Sequence, residues 1–443
     1  LLGHIPQLRS EGMLSLFERS WAAFGDVFGL HIGVEGVAVA HPDAIKQVLA
    51  TNAKNYVKGS SYDGVRRVIG NGVLALEGDA WKARRTLIQP AFHRSALGKL
   101  TEAMTDTGRL HFDALRAAHP GEGDFVIDAH RDMVKLTLDV VTAALFGREL
   151  LGVAQVSHAA FGTALELVSA EGNGFLLPKW LPTPGNRRFN ATMAEVEAVI
   201  YRVIAEGRKR DGTDGTLLSL LIHSTDAETG RRLTDQEVRD EVFTMFIAGH
   251  ETTALTLTWL FTLLHGRPEI IEAMVAEVDR VLGDRDPVFE DFPKLTYLRQ
   301  VIDETLRLRG PVAMTARTAV AEDELAGVRV KPGMLVFPFF YGAQRHKDFW
   351  ASPNRFDPAH FAPERSKGRN PWSYVPFSAG QRQCIGMMFS LVETVVLLAQ
   401  LLRRFTLTIE PGVDQVKPIT LVTVRPDRPV LIRLKPRGAG TKH

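Results

Sequence analysis

Apolar positions recur along the chain with two different periods, and the period changes twice. Near the start, residues 27–32 and 37–40 are short β-type runs punctuated by Gly29, Gly33 and Gly36. Over the long middle the spacing becomes that of amphipathic helices, predicting helices at 132–145, 193–205, 235–265 and 268–282. The last part returns to strands at 405–409, 419–424 and 430–434, separated by turn residues. There is no repeat, and helices and strands do not interleave as in a doubly wound fold. The pattern predicts a mainly α chain with a smaller β-rich region, at about 25–60, 310–340 and 405–435, folded as a single domain over residues 1–443.

Two stretches stand out from this periodicity. Thr234-Asp-Gln-Glu237 is a capping box, and the helix it opens would run about 45 Å over roughly 30 residues. From 243 to 264 it is apolar enough to raise a membrane-spanning reading, but His250 and Glu251 sit centrally. A central acid costs about 2.5–3.5 kcal/mol on insertion, so a buried core helix is expected instead. Residues 172–185 break the helical pattern with Pro178, Pro182 and Pro184 yet carry Phe175, Leu176, Leu177, Trp180 and Leu181. That segment is either a loop tucked onto the core or a mobile apolar lid.

Composition narrows the chemistry. The 443 residues hold 53 basic and 51 acidic side chains and a formal charge of +2, which removes the main electrostatic reason to expect nucleic-acid binding. One cysteine cannot form an internal disulfide or a four-thiolate zinc or iron–sulfur site. The sequence opens on Leu1 without a basic, apolar and small-residue succession, so a cytoplasmic location is expected, with an anchor upstream of Leu1 left open.

The lone cysteine lies in Phe377-Ser-Ala-Gly380-Gln-Arg382-Gln-Cys384-Ile385-Gly386. A single cysteine is usually an apolar filler. Here glycines on both sides admit backbone N–H groups, Arg382 adds positive charge, and a helix follows Gly386, all of which favour the metal-ligating thiolate. The segment resembles the heme-binding loop of the cytochrome P-450 superfamily, Phe-x-x-Gly-x-Arg-x-Cys-x-Gly, at all five fixed positions. With each residue type near about 5% of composition, a chance match is on the order of 10⁻⁴.

The resemblance extends over essentially the whole chain. Ala248-Gly-His250-Glu251-Thr252-Thr253 is similar to the family's oxygen-activation segment, which implies room over the heme at Ala248, a proton relay at Glu251 and a dioxygen-holding hydroxyl at Thr252. On the residues alone, Thr252 could equally bond back to the preceding turn and Glu251 could be salt-bridged or solvated. His250 is read as orienting or surface-facing, not as an iron ligand. Glu304-Thr-Leu-Arg307 places an acid and a cation on one helix face, a weak signal by itself. Pro353-Asn-Arg355-Phe356 resembles the segment whose arginine completes the family's Glu–Arg–Arg cluster, a buried network holding the cysteine loop in register. Trp81-Lys-Ala-Arg-Arg85 matches Trp-x-x-x-Arg, which implies that Trp81 and Arg85 meet the heme propionates, with Arg382 and Arg317; a surface strand residue is the alternative for Arg317. Phe377, Gly380, Ile385, Gly386 and Ala248 complete the expected heme contacts.

By position in the family, the substrate pocket would be lined by Val73, Leu74, Phe243, Ile247, Val312, Ala313, Met314, Leu421 and Val422, nearly all apolar. The chain departs from the family at Arg309-Gly310, where an aromatic and a proline are common, and at Ser390, usually alanine. The expected fold is that of cytochrome P-450, with heme b between the long central helix and the cysteine loop and helix. The implied activity is a heme-thiolate monooxygenase that inserts one oxygen atom of O2 into a fatty acid, terpenoid or steroid-like molecule. No flavin-type or nucleotide-binding segment is visible, so electrons are expected from NAD(P)H through a separate ferredoxin, flavodoxin or reductase, and the protein is expected to be a monomer. Lys82, Arg84, Arg94 and Lys99 would either dock that donor or form a plain solvated surface. The competing readings are a peroxide-driven peroxygenase and a non-catalytic heme carrier or sensor. The segments 176–188 and Pro371-Trp-Ser-Tyr-Val-Pro376 resemble the fatty-acid and terpenoid-oxidising branches.

Overall fold

A computed structural model describes residues 3–121, 123–147, 181–210, 212, 214–226, 228–420 and 422–438. It is 60% helical with small sheets. These residues form two compact units, Leu1–Asp63 with Arg299–Cys384 and Asp414–Arg428, and Gly64–Leu298 with Ile385–Val413 and Pro429–His443.

The first unit is built on a five-stranded sheet in the order Val27–His31, Glu35–Val39, Leu335–Pro338, Arg317–Ala319, Tyr56–Val57. Glu35–Val39 and Leu335–Pro338 pair in parallel, Val37 opposite Val336, and the other pairs are antiparallel. Both residues of that central pair are buried, as the middle of a covered sheet requires. The helix Ile5–Phe24 supplies Phe17, whose ring stands edge-on to Phe28, Phe337 and Phe339 at 5.4–5.6 Å between centroids. The expected strand 419–424 is instead a hairpin, Pro418–Thr420 against Val424–Pro426.

The second unit is helical around Asp235–Leu264. Both halves of its capping box form: the Glu237 N–H donates to Thr234 Oγ1, and the Thr234 N–H donates to Glu237 Oε2 at 3.0 Å. Most of this helix is buried, so the core-helix expectation holds. No helix among the described residues is long and apolar enough to cross a membrane. Ala129–Phe146 packs beside it, and the Thr137 hydroxyl donates to the His250 carbonyl at 2.8 Å. Arg94–Ala118, which the periodicity does not mark, lies against Met387–Arg404, where Gln400 Nε2 donates to the Thr105 carbonyl at 2.8 Å. A three-stranded antiparallel sheet of Phe125–Asp128, Leu431–Pro436 and Phe405–Ile409 closes the unit. Within the apolar stretch 172–185, residues up to 180 lie outside the described residues. From there Thr183 caps the helix Pro184–Gly207 by accepting from the Asn186 N–H.

Candidate active site

In the first unit the residues around Cys384 form a tight loop held by its own backbone. The Cys384 N–H donates to the Phe377 carbonyl at 2.9 Å, the Ser378 N–H to Val375 at 3.0 Å and the Gln383 N–H to Gly380 at 3.2 Å. Gly380 has φ +68°, and a Cβ there would lie 2.1 Å from the Leu49 carbonyl oxygen, so only glycine fits. Ser378 also sits at positive φ, 57°, a conformation that costs a non-glycine residue roughly 1–2 kcal/mol. The loop therefore presents Cys384 from a constrained frame, and the cysteine is exposed. Gly386 caps the helix Met387–Arg404, so its N-terminus follows directly on the loop.

The same unit buries Glu304 and Arg307 completely. Arg307 Nε and Nη2 donate to the two Glu304 oxygens, each at 2.7 Å, a bidentate pair. The remaining guanidinium donors meet the carbonyls of Gln344, Pro353 and Arg355 at 2.8, 2.7 and 3.1 Å. Arg355 thus contributes only its carbonyl to the cluster and its side chain is exposed, which corrects the expected third member. That place belongs to His360, whose Nδ1 is 3.0 Å from Glu304 Oε1 and whose Nε2 is 2.7 Å from the Ala351 carbonyl. The signal was available: Pro358-Ala-His360-Phe361 repeats the Pro-x-cation-Phe frame five residues on.

In the second unit the central helix runs unbroken but is uncovered at one position. Ala248 is exposed, with Met245, Ile247, Gly249 and Thr252 half-buried around it. Ala248 and Thr252 are one turn apart, and the Thr252 hydroxyl donates back to the Ala248 carbonyl at 2.8 Å, the alternative the sequence left open. Glu251 is buried. His250 is buried, with Nδ1 2.6 Å from the Phe246 carbonyl, so its surface-facing reading does not hold. On the opposite side Thr253 Oγ1 is 3.1 Å from Ser390 Oγ. Glu393, one turn beyond Ser390, is fully buried, and the polar group acting on its carboxyl is the Thr253 hydroxyl. Burial pushes its pKa well above the usual carboxylate range, opposed by the Thr253 hydroxyl.

On the helix Gly78–Ile88, Trp81 and Arg85 are half-buried and four residues apart on one face. Arg84 is buried, with Nη1 on Glu241 Oε1 and Nη2 on Glu237 Oε1, both at 2.7 Å. It therefore leaves the expected donor-docking patch, whereas Lys82, Arg94 and Lys99 are exposed.

The cytochrome P450 family profile matches residues 1–433. The chain belongs to the cytochrome P450 family. It is 33% identical to cyclooctat-9-en-7-ol 5-monooxygenase of Streptomyces melanosporofaciens, over 93% of this chain and 88% of that protein. It is 34% identical to pentalenene oxygenase of Streptomyces avermitilis, over 99% and 96%. Among solved structures it is similar to the heme domain of cytochrome P450DA, with TM-score 0.89, 26% identity and coverage of 99% and 96%. Retinoic acid-bound cyanobacterial CYP120A1, at TM-score 0.86 and 22% identity over 98% and 97%, shares the fold. The protein is thus a P450-type monooxygenase, an oxidoreductase.

Membership in the P450 family brings heme, and the residues present suit it. In the first unit an exposed thiol on a constrained loop, with Arg382 half-buried two residues before it, has the chemistry a thiolate iron ligand would need. Arg317 is buried on its strand, where Nη1 donates to Thr315 Oγ1 and the Ala316 carbonyl at 2.8 and 2.7 Å. In the second unit Trp81 and Arg85 offer an indole N–H and a guanidinium suited to propionates. Of the expected pocket residues in that unit, Leu74 and Ile247 are at least partly open, and Val73, next to Leu74 in the chain, is buried. Phe243 is fully buried under the Arg239 guanidinium, 4.0 Å from its ring centre and about 140° around the helix from Ala248, so it belongs to the core of this P450. In the first unit Val312 and Met314 are half-buried, Ala313 is buried and Val422 exposed; Leu421 lies outside the described residues.

Proposed function

We propose that this P450 inserts one oxygen atom of O2 into a terpenoid, with electrons from NAD(P)H delivered by a separate ferredoxin- or flavodoxin-type donor, and that it works as a monomeric, single-domain catalyst. The observation that carries this reading is the exposed Ala248 on the central helix with the acid–alcohol pair Glu251-Thr252 one turn on. That pair argues against a peroxygenase. The terpenoid assignment draws on the relatives, bacterial terpenoid oxygenases by name, and on the apolar side chains Leu74, Ile247, Val312 and Met314.

Heme, when bound through Cys384, supplies the oxygen-activating iron, and the thiolate donates electron density that favours O–O cleavage. The chain's own residues do the rest. The constrained loop holds Cys384 at one orientation, and the Glu304–Arg307–His360 cluster fixes the carbonyls of Gln344, Pro353 and Arg355 around one guanidinium. Trp81 and Arg85 orient the propionates. Glu251 passes protons toward Thr252, whose hydroxyl exchanges its bond to the Ala248 carbonyl for one to a water or to oxygen. Ala248 leaves room for the substrate.

The test is product formation from a panel of sesquiterpene and diterpene hydrocarbons and alcohols, with ferredoxin, reductase and NAD(P)H against hydrogen peroxide alone. Turnover only with the electron chain supports the reading. Turnover with peroxide alone assigns a peroxygenase, and heme binding with no turnover under either condition assigns a carrier or sensor.

A further inference from the structure

Asp240 and Glu241, adjacent carboxylates near the start of the central helix, are both buried and both bind backbone of the same short segment. The Asn71 N–H donates to Asp240 Oδ2 at 2.9 Å, and the Val73 N–H donates to Glu241 Oε1 at 2.8 Å. Between them Gly72 lies so close to the helix that a Cβ would stand 1.9 Å from Thr244 Oγ1 and 2.8 Å from the Asp240 carbonyl oxygen. Thr244 cannot easily move aside, because its hydroxyl donates to that same carbonyl at 2.8 Å. The next residue after this clamp is Leu74, exposed at 37%.

Glu241 Oε1 also accepts from Arg84 Nη1 at 2.7 Å, and Arg84 is the immediate neighbour of Arg85 on the helix that carries Trp81. A third tie, Arg84 Nη1 to the Asn71 carbonyl at 3.4 Å, closes the triangle. On the central helix Glu241 falls within about 20° of Ala248 and Thr252, so the clamp grips the face that is uncovered further along.

We propose that Asp240 and Glu241 are positioning residues that hold segment 71–74 as a wall of the distal pocket and lock it, through Arg84, to the propionate-binding helix, so that the charge on Glu241 sets ligand affinity. The proposal rests on the P450 assignment of Val73, Leu74, Trp81 and Arg85, and not on the terpenoid assignment.

The charge on Glu241 is poised to change. Burial pushes its carboxyl up to about 7, against the opposing pull of Arg84 and the Val73 N–H. Of the other charged groups, Asp240 raises it further, Glu237 shares Arg84 with it, and Arg239 and Arg231 are each paired to one of those two carboxylates. Arg239 is bonded to Asp240 and to Glu197 on the helix Pro184–Gly207, and Arg231 to Glu237. Residues 71–76 add no titratable side chain. Oε2 is buried without a hydrogen-bond partner among the described residues, whereas Oε1 has two donors; Oε2 is therefore the oxygen that takes the proton. Protonation leaves the Val73 bond in place but removes the charge that holds Arg84 Nη1 against segment 71–74, leaving Nη2 on Glu237.

The heme-loaded enzyme tests this with two probes read by their Soret shifts: an aryl triazole of low basicity, which stays neutral across the range, and a sesquiterpene hydrocarbon. In the parent, triazole affinity should fall as pH drops through about 7. Glu241→Gln, which keeps the acceptor and removes the charge, should bind about fivefold more weakly above that pH and lose the pH dependence. Gly72→Ala, which displaces the segment without touching any charge, should weaken binding while keeping the pH dependence. Both variants should retain the parent's reduced, carbon-monoxide-bound spectrum. Parent-like triazole affinity and pH profile in Glu241→Gln, or parent-like affinity in Gly72→Ala, would overturn the proposal. The expected triazole behaviour with no terpene shift in the parent supports the clamp and counts against the terpenoid assignment alone.

Discussion

His360 Nδ1 and Glu304 Oε1 lie 3.0 Å apart, with both side chains buried and Arg307 on the other side of the same carboxylate. Glu304 Oε1 also accepts the Asp357 N–H at 2.9 Å, so one oxygen organises a helix, a loop and an imidazole. Removing one partner of a buried ion pair costs about 3–5 kcal/mol, because the other charge is left without compensation. Glu304→Ala should therefore lose heme incorporation and not merely turnover, as read from the heme-to-protein ratio after purification. His360→Ala should lower that ratio and the melting temperature, whereas Arg355→Ala, which keeps the carbonyl, should change neither. Full heme content with normal spectra in Glu304→Ala would sink the assignment.

Glu393 should be a neutral carboxylic acid. A carboxylate in its fully buried position, with the Thr253 hydroxyl but no cation acting on it among the described residues, carries a desolvation cost that protonation avoids. With the folded pKa raised, the folded state keeps a proton that the unfolded chain releases. The associated stability is complete below the ordinary carboxyl pKa and lost as pH rises toward the folded value, at up to about 1.4 kcal/mol per pH unit. Urea unfolding of the parent should decline over that window more steeply than that of Glu393→Gln. An infrared carbonyl band of a protonated acid, present in the parent and missing in the variant, checks the same point; parallel stability curves would contradict it.

Arg84 and Lys82 separate burial from charge. Arg84→Ala leaves the buried Glu241 without its cation and should destabilise the fold by about 3–5 kcal/mol. Lys82→Ala, at an exposed position, should leave stability within about 0.5 kcal/mol and at most raise the apparent KM for the electron donor. Calorimetric melting temperatures and steady-state donor titrations distinguish the two.

Thr252→Ala removes a hydroxyl that donates to the Ala248 carbonyl, one turn back along its own helix. Heme loading and substrate-induced Soret shifts should persist, while the ratio of product to NAD(P)H consumed falls and hydrogen peroxide accumulates. Fully coupled turnover in the variant would remove Thr252 from the proton path.

The parts of this structure legible in the sequence are those whose cause is local. The capping box at Thr234, the helix start after Gly386, the strand Phe405–Ile409 and the cysteine loop all follow from neighbouring residue types. Residues whose role depends on distant partners read less well. Arg355 is singled out by its resemblance to the family segment, yet a second frame of the same spacing, Pro358-Ala-His360-Phe361, lies five residues on and nothing local tells which one turns inward. Arg84 looks like a surface charge beside Lys82 until Glu237 and Glu241, over 150 residues away, are folded against it. Phe243 fits an apolar pocket by type, and its full burial, on a different face of the helix from Ala248, places it in the core.

The central claim is that Cys384 ligates heme iron as a thiolate. The most direct measurement is the absorption spectrum of the reduced protein under carbon monoxide, for the parent and for Cys384→Ser. The account predicts the far red-shifted Soret band of thiolate ligation in the parent and its loss in the variant. The same red-shifted band in Cys384→Ser, or its absence from the heme-loaded parent, would contradict it.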